Sequence, residues 1–399
     1  MHPNTRRPRL TPAMADVRRA VRELLAEVLP VAAGSPQAAD ARQPAADRST
    51  LQAPDARLVL VALSGGPDSL ALAAALAFEA PRAGLAAGAI VVDHALQDAS
   101  AEVAARAADQ ARALGLTPVL IERVTVATRA RASAVRSDAT MPDATMPDAA
   151  TPDATEPAES APATDQATAT ASAGPEAAAR AARYGAFERA LAATGASHVL
   201  LAHTLDDQAE TVLLGLARGS GPSSLSGMSP VNGAYLRPLL GIPRRTVHLS
   251  LDDQGLGAWH DPQNVDRDYA RVRVRDSVLP LLERELGPGI AEALARTADQ
   301  LREDDEALDA LAAEWATEIV EHAEAGIAVD ARGLASNPPA LAQRIVRYVV
   351  AAEFGTTLSR AQTLAALKLA TEWHGQAGVD LPGIRVTRVA RQLVFVRRV

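Results

Sequence analysis

The sequence predicts an α/β fold, with a Rossmann-like, doubly wound parallel sheet followed by a smaller, mainly helical C-terminal domain. Three observations carry this prediction. From Leu58 onward, short apolar runs alternate with helix-like segments, the pattern of a parallel sheet covered by helices on both faces. A glycine-rich turn separates the first apolar run from the first helix-like segment. After Tyr235 the alternation gives way to long helical stretches. The chain has 399 residues, enough for two domains at ~150 residues each.

Taken in order, residues 12–29 have helical periodicity, with Val17, Val21, Leu24, Leu25 and Val28 on one side. Residues 31–55 are rich in Ala, Gln, Pro and Ser and read as a flexible link, so 1–56 forms an N-terminal helix and linker. The sheet-bearing domain spans 57–255. Its strands are predicted at 58–63 (LVLVAL), 89–93 (AIVVD), 118–122 (PVLIE) and 198–203 (HVLLAH), with helices at 68–80, 100–114, 175–194 and 206–217. Between them, about 129–174 is an insertion with an imperfect PDAT repeat, too rich in Pro, Thr and acids to bury a core, and reads as disordered. Another helix is predicted at 244–256. The second domain, 256–399, has helical stretches at 289–323 and 338–373 and closes on IRVTRVARQLVFVRRV (384–399), strand-like and free of acids.

Composition excludes whole classes of function. There is no cysteine, so disulfides, Cys-type zinc sites, iron–sulfur clusters and cysteine nucleophiles are ruled out. No apolar run approaches the ~18 residues that span a bilayer. The basic start MHPNTRRPRL has no apolar stretch behind it, so no secretory signal is expected and the cytoplasm is the default location. The net charge of −8 argues against a polyanionic partner, but eight acids and no Lys or Arg lie within 137–176. Outside that segment 40 acids face 40 bases, nearly all arginine, and a nucleic-acid partner stays open.

The chemistry concentrates at two places. Ser64-Gly65-Gly66-Pro67-Asp68-Ser69 lies between a strand and a helix, where backbone N–H groups and the positive helix end cradle an anion. A Walker A loop needs a lysine, and the only one, Lys368, is far away; the dinucleotide GxGxxG spacing is also absent. The second place is AHTLDDQAET, where His203 ends a strand and Asp206, Asp207 and Glu210 open a helix, the last two sharing a face. Capping the helix dipole accounts for one aspartate. The remaining acids, beside a crevice that also holds Asp93 and Asp68, need a cation, either magnesium or an ammonium substrate. For Asp93-His94 a helix cap and catalysis both stand open, and Arg180 and Arg183 read equally as a solvated helix face.

SGGxDS resembles the signature of the pyrophosphatase-loop (adenine nucleotide alpha-hydrolase-like) synthetases, which cleave ATP to AMP and pyrophosphate. In order, SGGPDS, VDHALQ, the helix with Arg180, Arg183 and Tyr184, AHTLDDQAET, ARGSG, RPLLGIPR (237–244) and DPQNVDRDYARVRVRDSVLPLLE (261–283) resemble the tRNA(Ile)-lysidine synthase family. The match covers most of 58–283 outside the insertion. In the last motif Val272 stands where the family usually has asparagine, while Asp261, Asn264, Tyr269, Arg271, Arg273 and Arg275 match.

The resemblance implies a ligase that adenylates the wobble cytidine of an isoleucine tRNA with a CAU anticodon and joins it to free L-lysine. It puts ATP phosphates on Ser64, Gly65, Gly66, Pro67, Asp68 and Ser69, with Mg2+ on Asp68. It makes Asp68, Asp93, Asp207 and Glu210 catalytic, and His203, Asp206, Asp207, Glu210 and Arg183 the lysine contacts. Arg237, Arg244, Arg245, Arg271, Arg273 and Arg275 are its tRNA contacts. The alternating VRVR pattern reads equally as a solvated strand face or an intramolecular salt-bridge face, and for the C-terminal arginines RNA contact is left open. Rival readings are a tRNA thiolase, an amide-forming synthetase of the same loop family, or a non-catalytic nucleotide-binding module. No membrane partner is expected, and a homodimer is left open.

Overall fold

A computed structural model describes residues 10–30, 57–94, 100–124, 175–219, 221–259, 266–323 and 326–398. The predicted linker and insertion lie outside these residues, as do Asp261 and Asn264. The described chain falls into two compact units, the first holding 10–217 and 227–298, the second 218–226 and 299–398.

The first unit opens with α1 (Pro12–Val28), capped by Thr11. A sheet of β1 (Leu58–Ala62), β2 (Ala86–Asp93), β3 (Val119–Arg123), β4 (His198–Leu200), β5 (Val231–Asn232) and β6 (Tyr235–Leu236) follows, in the order β3-β2-β1-β4-β6-β5. All pairings are parallel except the short β5–β6 pair. Strands are linked by α2 (Pro67–Glu79), α3 (Ser100–Ala113), α4 (Pro175–Thr194) and α5 (Leu205–Ala217). The continuous apolar run of β1 has a simple cause, because both faces are covered. Val59 and Val61 join one core with α1 and α2, while Leu60 joins another with Tyr184, Phe187 and Tyr235. At Gly88 in β2 a Cβ would lie 2.5 Å from the Pro118 carbonyl and 2.8 Å from Leu60, so only glycine lets these backbones approach.

Beyond the sheet lies α6 (Arg244–Asp252), which buries Val247 and Leu251. α1 packs on both α2 and α6 and is part of the same core, through Val17, Val21, Leu24 and Leu25. The VRVR segment is helical: α7 (Ala270–Arg273) runs through a π-helical turn (Val274–Val278) into α8 (Leu279–Leu286). Val274 and Leu279 then pack with Ala209 of α5. In a strand, Arg271, Arg273 and Arg275 would share one face. In this helix Arg271 and Arg275 stay together and Arg273 turns away.

The division between units falls within α9 (Ile290–Ile319). The second unit has helices, as expected, in α10 (Ala331–Ser336), α11 (Pro339–Phe354) and α12 (Arg360–Thr371), with a single helical turn at Pro222–Leu225. It also has an antiparallel five-stranded sheet that was expected only at its last segment. This sheet comprises β7 (Val320–Ala323), β8 (Gly326–Asp330), β9 (Val379–Leu381), β10 (Ile384–Val389) and β11 (Gln392–Arg397), in the order β7-β8-β11-β10-β9. The strand-like C-terminus is thus a hairpin. Ile384, Val386, Leu393 and Phe395 face the core with Ile345 and Leu369, and the arginines face outward. Three of those arginines find partners within the unit. Arg385 and Arg398 pair with Asp380 at 2.7 and 3.4 Å, and Arg388 donates to the last carbonyls of α12 while lying over Trp373.

Candidate active site

The chain builds outward from β1 through β2 to β3, then returns to place β4 on the other side of β1. In such a sheet the ligand crevice opens at the carboxyl ends of the strands where the winding reverses. The loops that leave β1 and β4 are SGGPDS and AHTLDD, so the topology brings the two chemical motifs together.

The first loop is built to expose backbone. Gly65 has φ of +82°, a left-handed conformation open to glycine. Ser69 Oγ donates to the Gly66 carbonyl at 3.0 Å and accepts from Ser64 N–H at 3.2 Å, tying the loop into a closed turn. Trp259 N–H donates to the Gly65 carbonyl at 2.9 Å. Gly66 caps α2 without a side-chain hydrogen bond, so the first N–H groups of that helix remain available to an anion.

The second loop is built to hold charge. Thr204, fully buried, caps α5 reciprocally: its N–H and Oγ each donate to Asp207 Oδ2 at 2.8 Å, and Asp207 N–H returns to Thr204 Oγ at 3.5 Å. Asp207 is therefore the aspartate with the capping role. Burial alone would push its pKa up, but Arg244 outweighs this together with His203 and the Thr204 hydrogen bonds, holding it below the usual carboxylate range.

Arg244 is the centre of the site. Its Nη2 reaches Asp207 at 2.8 Å, its Nη1 reaches Glu210 at 3.2 Å, and its Nε lies 3.7 Å from Asp68. Its backbone N–H donates to Asp206 at 2.7 Å. Glu210 is fully buried and also meets Arg275 at 2.9 Å and Arg271 at 3.4 Å. The acids do find a cation, and it is this set of arginines. Asp68 accepts from His248 Nε2 at 3.0 Å.

One cavity of about 610 Å³ is lined by the SGGPDS loop, Asp93, His94, Arg183, His203, Asp207, Arg244, His248 and Arg275. Asp93 is 5% exposed with Arg123 at 3.7 Å. Burial lowers the His94 pKa, and Arg183 lowers it further. Burial also pushes His203 down to about 3, with Asp207 opposing and Arg237, Arg271 and Arg180 reinforcing, so its ring is neutral. The Nδ1 atoms of both histidines are buried without a hydrogen-bond partner among the described residues.

The arginines expected to face RNA are redistributed. Arg237 is 4% exposed and spent on the Ser229 carbonyl and the Tyr184 hydroxyl. Arg244, Arg271 and Arg275 converge on Glu210 instead. Arg273 folds back on the carbonyls of Arg267 and Asp268, both at 2.8 Å. Arg245 projects outward, 79% exposed, with Glu292 at 3.7 Å. His248 and Trp259 escaped the sequence reading. His248 lies four residues after Arg244 on a predicted helix, a spacing that puts both on one face and was the signal available.

A family model described as a PP-loop domain matches residues 41–141 and 159–282, and one described as the TilS substrate binding domain matches 330–394. The tRNA(Ile)-lysidine synthase of Leifsonia xyli subsp. xyli is 57% identical over 339 residues, covering 85% of this chain and 89% of that protein. The protein of the same name in Thermobifida fusca is 46% identical over 341 residues, covering 85% and 91%. That of Salinispora tropica is 42% identical over 395 residues, covering 97% of both.

Proposed function

The chain belongs to the tRNA(Ile)-lysidine synthase family, and on that premise we propose that it adenylates the wobble cytidine of the isoleucine tRNA with a CAU anticodon and joins it to L-lysine. In the first step the oxygen on carbon 2 of the base attacks the α-phosphorus of ATP and pyrophosphate leaves. In the second, the side-chain amine of lysine attacks carbon 2, and AMP departs with that oxygen. The observation that carries this reading is a cavity walled together by the phosphate-cradling loop, the arginine-held Asp207 and Arg183.

The Ser64–Ser69 turn and the first N–H groups of α2 hold the triphosphate. Asp68 suits Mg2+, because one carboxylate oxygen is tied to His248 while the other makes no hydrogen bond among the described residues. No group of three or more His, Asp or Glu among the described residues is placed to hold a metal by itself, which fits a magnesium ion that takes its other ligands from phosphate and water. When bound, such an ion neutralises charge on the leaving pyrophosphate. Arg244 and Arg275 place positive charge in the same cavity, beside Asp207.

For lysine, a neighbouring cavity of about 190 Å³ offers Asp206 to an ammonium, Arg275 to the carboxylate, and Leu279, Pro280 and Ala291 to the methylenes. Glu210 lines this pocket but is committed to the arginines, and Asp207, committed to Thr204 and Arg244, lines the larger cavity instead. For tRNA phosphates, Arg183, Arg245 and Arg273 are the ones that stay exposed among the arginines the family resemblance assigns to substrates. The reaction belongs to the cytoplasm, where tRNA, ATP and free lysine meet; no helix among the described residues is long and apolar enough to cross a membrane.

The test is mass spectrometry of nucleosides from a CAU-anticodon tRNA(Ile) transcript incubated with enzyme, ATP and lysine. Lysidine should appear with one AMP and one pyrophosphate per modified tRNA, and Asp206→Asn should raise the KM for lysine by about tenfold, the loss of one charge-assisted contact. Pyrophosphate release without lysidine, or without any need for tRNA, rules the reading out.

A further inference from the structure

We propose that His248 is a positioning residue for the metal, the side chain that presents the Asp68 carboxylate to Mg2+. The inference rests on the reading of Asp68 as a magnesium ligand given above. A carboxylate that must bind a metal through one oxygen is best held by a hydrogen bond to the other, and loss of a partner of this kind typically costs about 10–100-fold in metal affinity. His248 supplies that bond. Its Nε2 donates to Asp68 Oδ1 at 3.0 Å, and no hydrogen bond reaches Oδ2 among the described residues.

The need for a holder comes from Arg244. Its Nε stands 3.7 Å from Oδ2, too far for a hydrogen bond but close enough to draw the carboxylate toward the cluster of Asp207 and Glu210. Asp68 sits in the first turn of α2, beside the phosphate-cradling loop. A carboxylate captured fully by Arg244 would turn from that loop. His248 and Arg244 are one helical turn apart on α6, so one rigid element sets both distances at once. α6 itself is fixed by Val247 and Leu251, 0% and 3% exposed, and by its contact with α1 and α2. His248 is 41% exposed and Asp68 27%, and both line the large cavity, so the pair meets incoming ligand rather than filling a sealed core.

The experiment is calorimetric titration of ATP into the full-length protein at a series of Mg2+ concentrations and in EDTA, for the wild type and for His248→Ala, His248→Gln and Asp68→Asn. His248→Ala should raise the Mg2+ concentration at half-maximal ATP affinity by tenfold or more, with the affinity in EDTA unchanged. His248→Gln, whose amide N–H can still donate, should recover part of that shift. Circular dichroism melts of each variant confirm that the fold is kept; if His248→Ala melts early, His248→Phe, which keeps a ring but has no donor, takes its place. A magnesium midpoint within twofold of wild type, or an equal fall of affinity in EDTA, overturns the proposal. If Asp68→Asn leaves the magnesium dependence intact, the assignment of the metal to Asp68 fails, and the role of His248 falls with it. Lysidine formation by the wild type tests the enzymatic reading separately.

Discussion

Replacing Glu210 by glutamine tests whether the buried acid cluster is an anchor for arginines or a binding surface for substrate. The Glu210 side chain is fully buried, and three guanidinium groups surround it, Arg275 at 2.9 Å, Arg244 at 3.2 Å and Arg271 at 3.4 Å. At an effective dielectric constant of about 20, each pair at about 4 Å is worth about 4 kcal/mol before desolvation. Much of that is offset by the several kcal/mol needed to take a carboxylate out of water. Glutamine keeps the shape but removes the charge, and its amide donor must then face a guanidinium donor. Breaking a buried pair from one side costs about 3–5 kcal/mol. We take about 3, because Arg271 and Arg275 are about a third exposed and can rehydrate. That corresponds to roughly 6–12 °C in Tm at about 2–4 °C per kcal/mol. The assay is urea unfolding of Glu210→Gln, Arg275→Gln and the double variant. The two losses should fail to add by at least about 1 kcal/mol. A loss below about 1 kcal/mol with additive effects would refute the anchor, and a raised KM for lysine at unchanged stability would make Glu210 a substrate contact instead.

Other consequences follow from neighbouring residues. His203, with a folded pKa of about 3, is neutral in both states above its ordinary value of 6.5. As the pH falls through 6.5 the unfolded chain gains a proton that the folded one refuses, so stability drops by up to about 1.4 kcal/mol per pH unit. His203→Asn should therefore lose about 2 kcal/mol less than wild type between pH 7 and pH 5, measured by urea midpoints; parallel slopes would show that the histidine is not held neutral. Gly65→Ala forces a side chain into φ +82° and should cost about 1–2 kcal/mol and weaken ATP binding. Its Cβ would meet Ala107 at 3.5 Å and Trp259 at 4.0 Å, both ordinary contacts, so a much larger loss would point to a clash rather than backbone strain. Thr204→Val removes the buried hydroxyl bonded to Asp207 at 2.8 Å and should cost about 1–3 kcal/mol in chemical denaturation; a neutral result would mean that the backbone N–H of residue 204 suffices.

The centre of the first unit's sheet was legible because β1 and β2 are buried on both faces and so read as unbroken apolar runs. The phosphate loop was legible because its glycines, proline and hydroxyls have few other uses between a strand and a helix. The five-stranded sheet of the second unit was mostly hidden. β7 continues directly from α9 through Val320-Glu321-His322-Ala323 with no glycine or proline at the junction, and β9 is only three residues long. The identity of the cation in the acid cluster was hidden for a different reason. Arg244, Arg271 and Arg275 lie 34 to 65 positions from Glu210 along the chain, and nothing local distinguishes an arginine that returns to a buried glutamate from one that faces water. RPLLGIPR and VRVR looked alike as basic surface, and only the packing of α6 and α7 against α5 separates their arginines.

The first helix bears on how the protein can be cut. A fragment beginning at β1 would keep every residue of the crevice and still lose the strip formed by Met14, Val17, Val21, Leu24 and Leu25, each at most 8% exposed. At about 1.5–3 kcal/mol per fully buried side chain, that strip represents on the order of 10 kcal/mol, comparable to the entire net stability of an ordinary domain. What it would leave bare is the back of α2 and α6, the helices that carry Asp68, Arg244 and His248. Such a fragment should partition into the insoluble fraction on expression, and one starting near Thr11 should not. α1 acts as the keel of the nucleotide-binding unit.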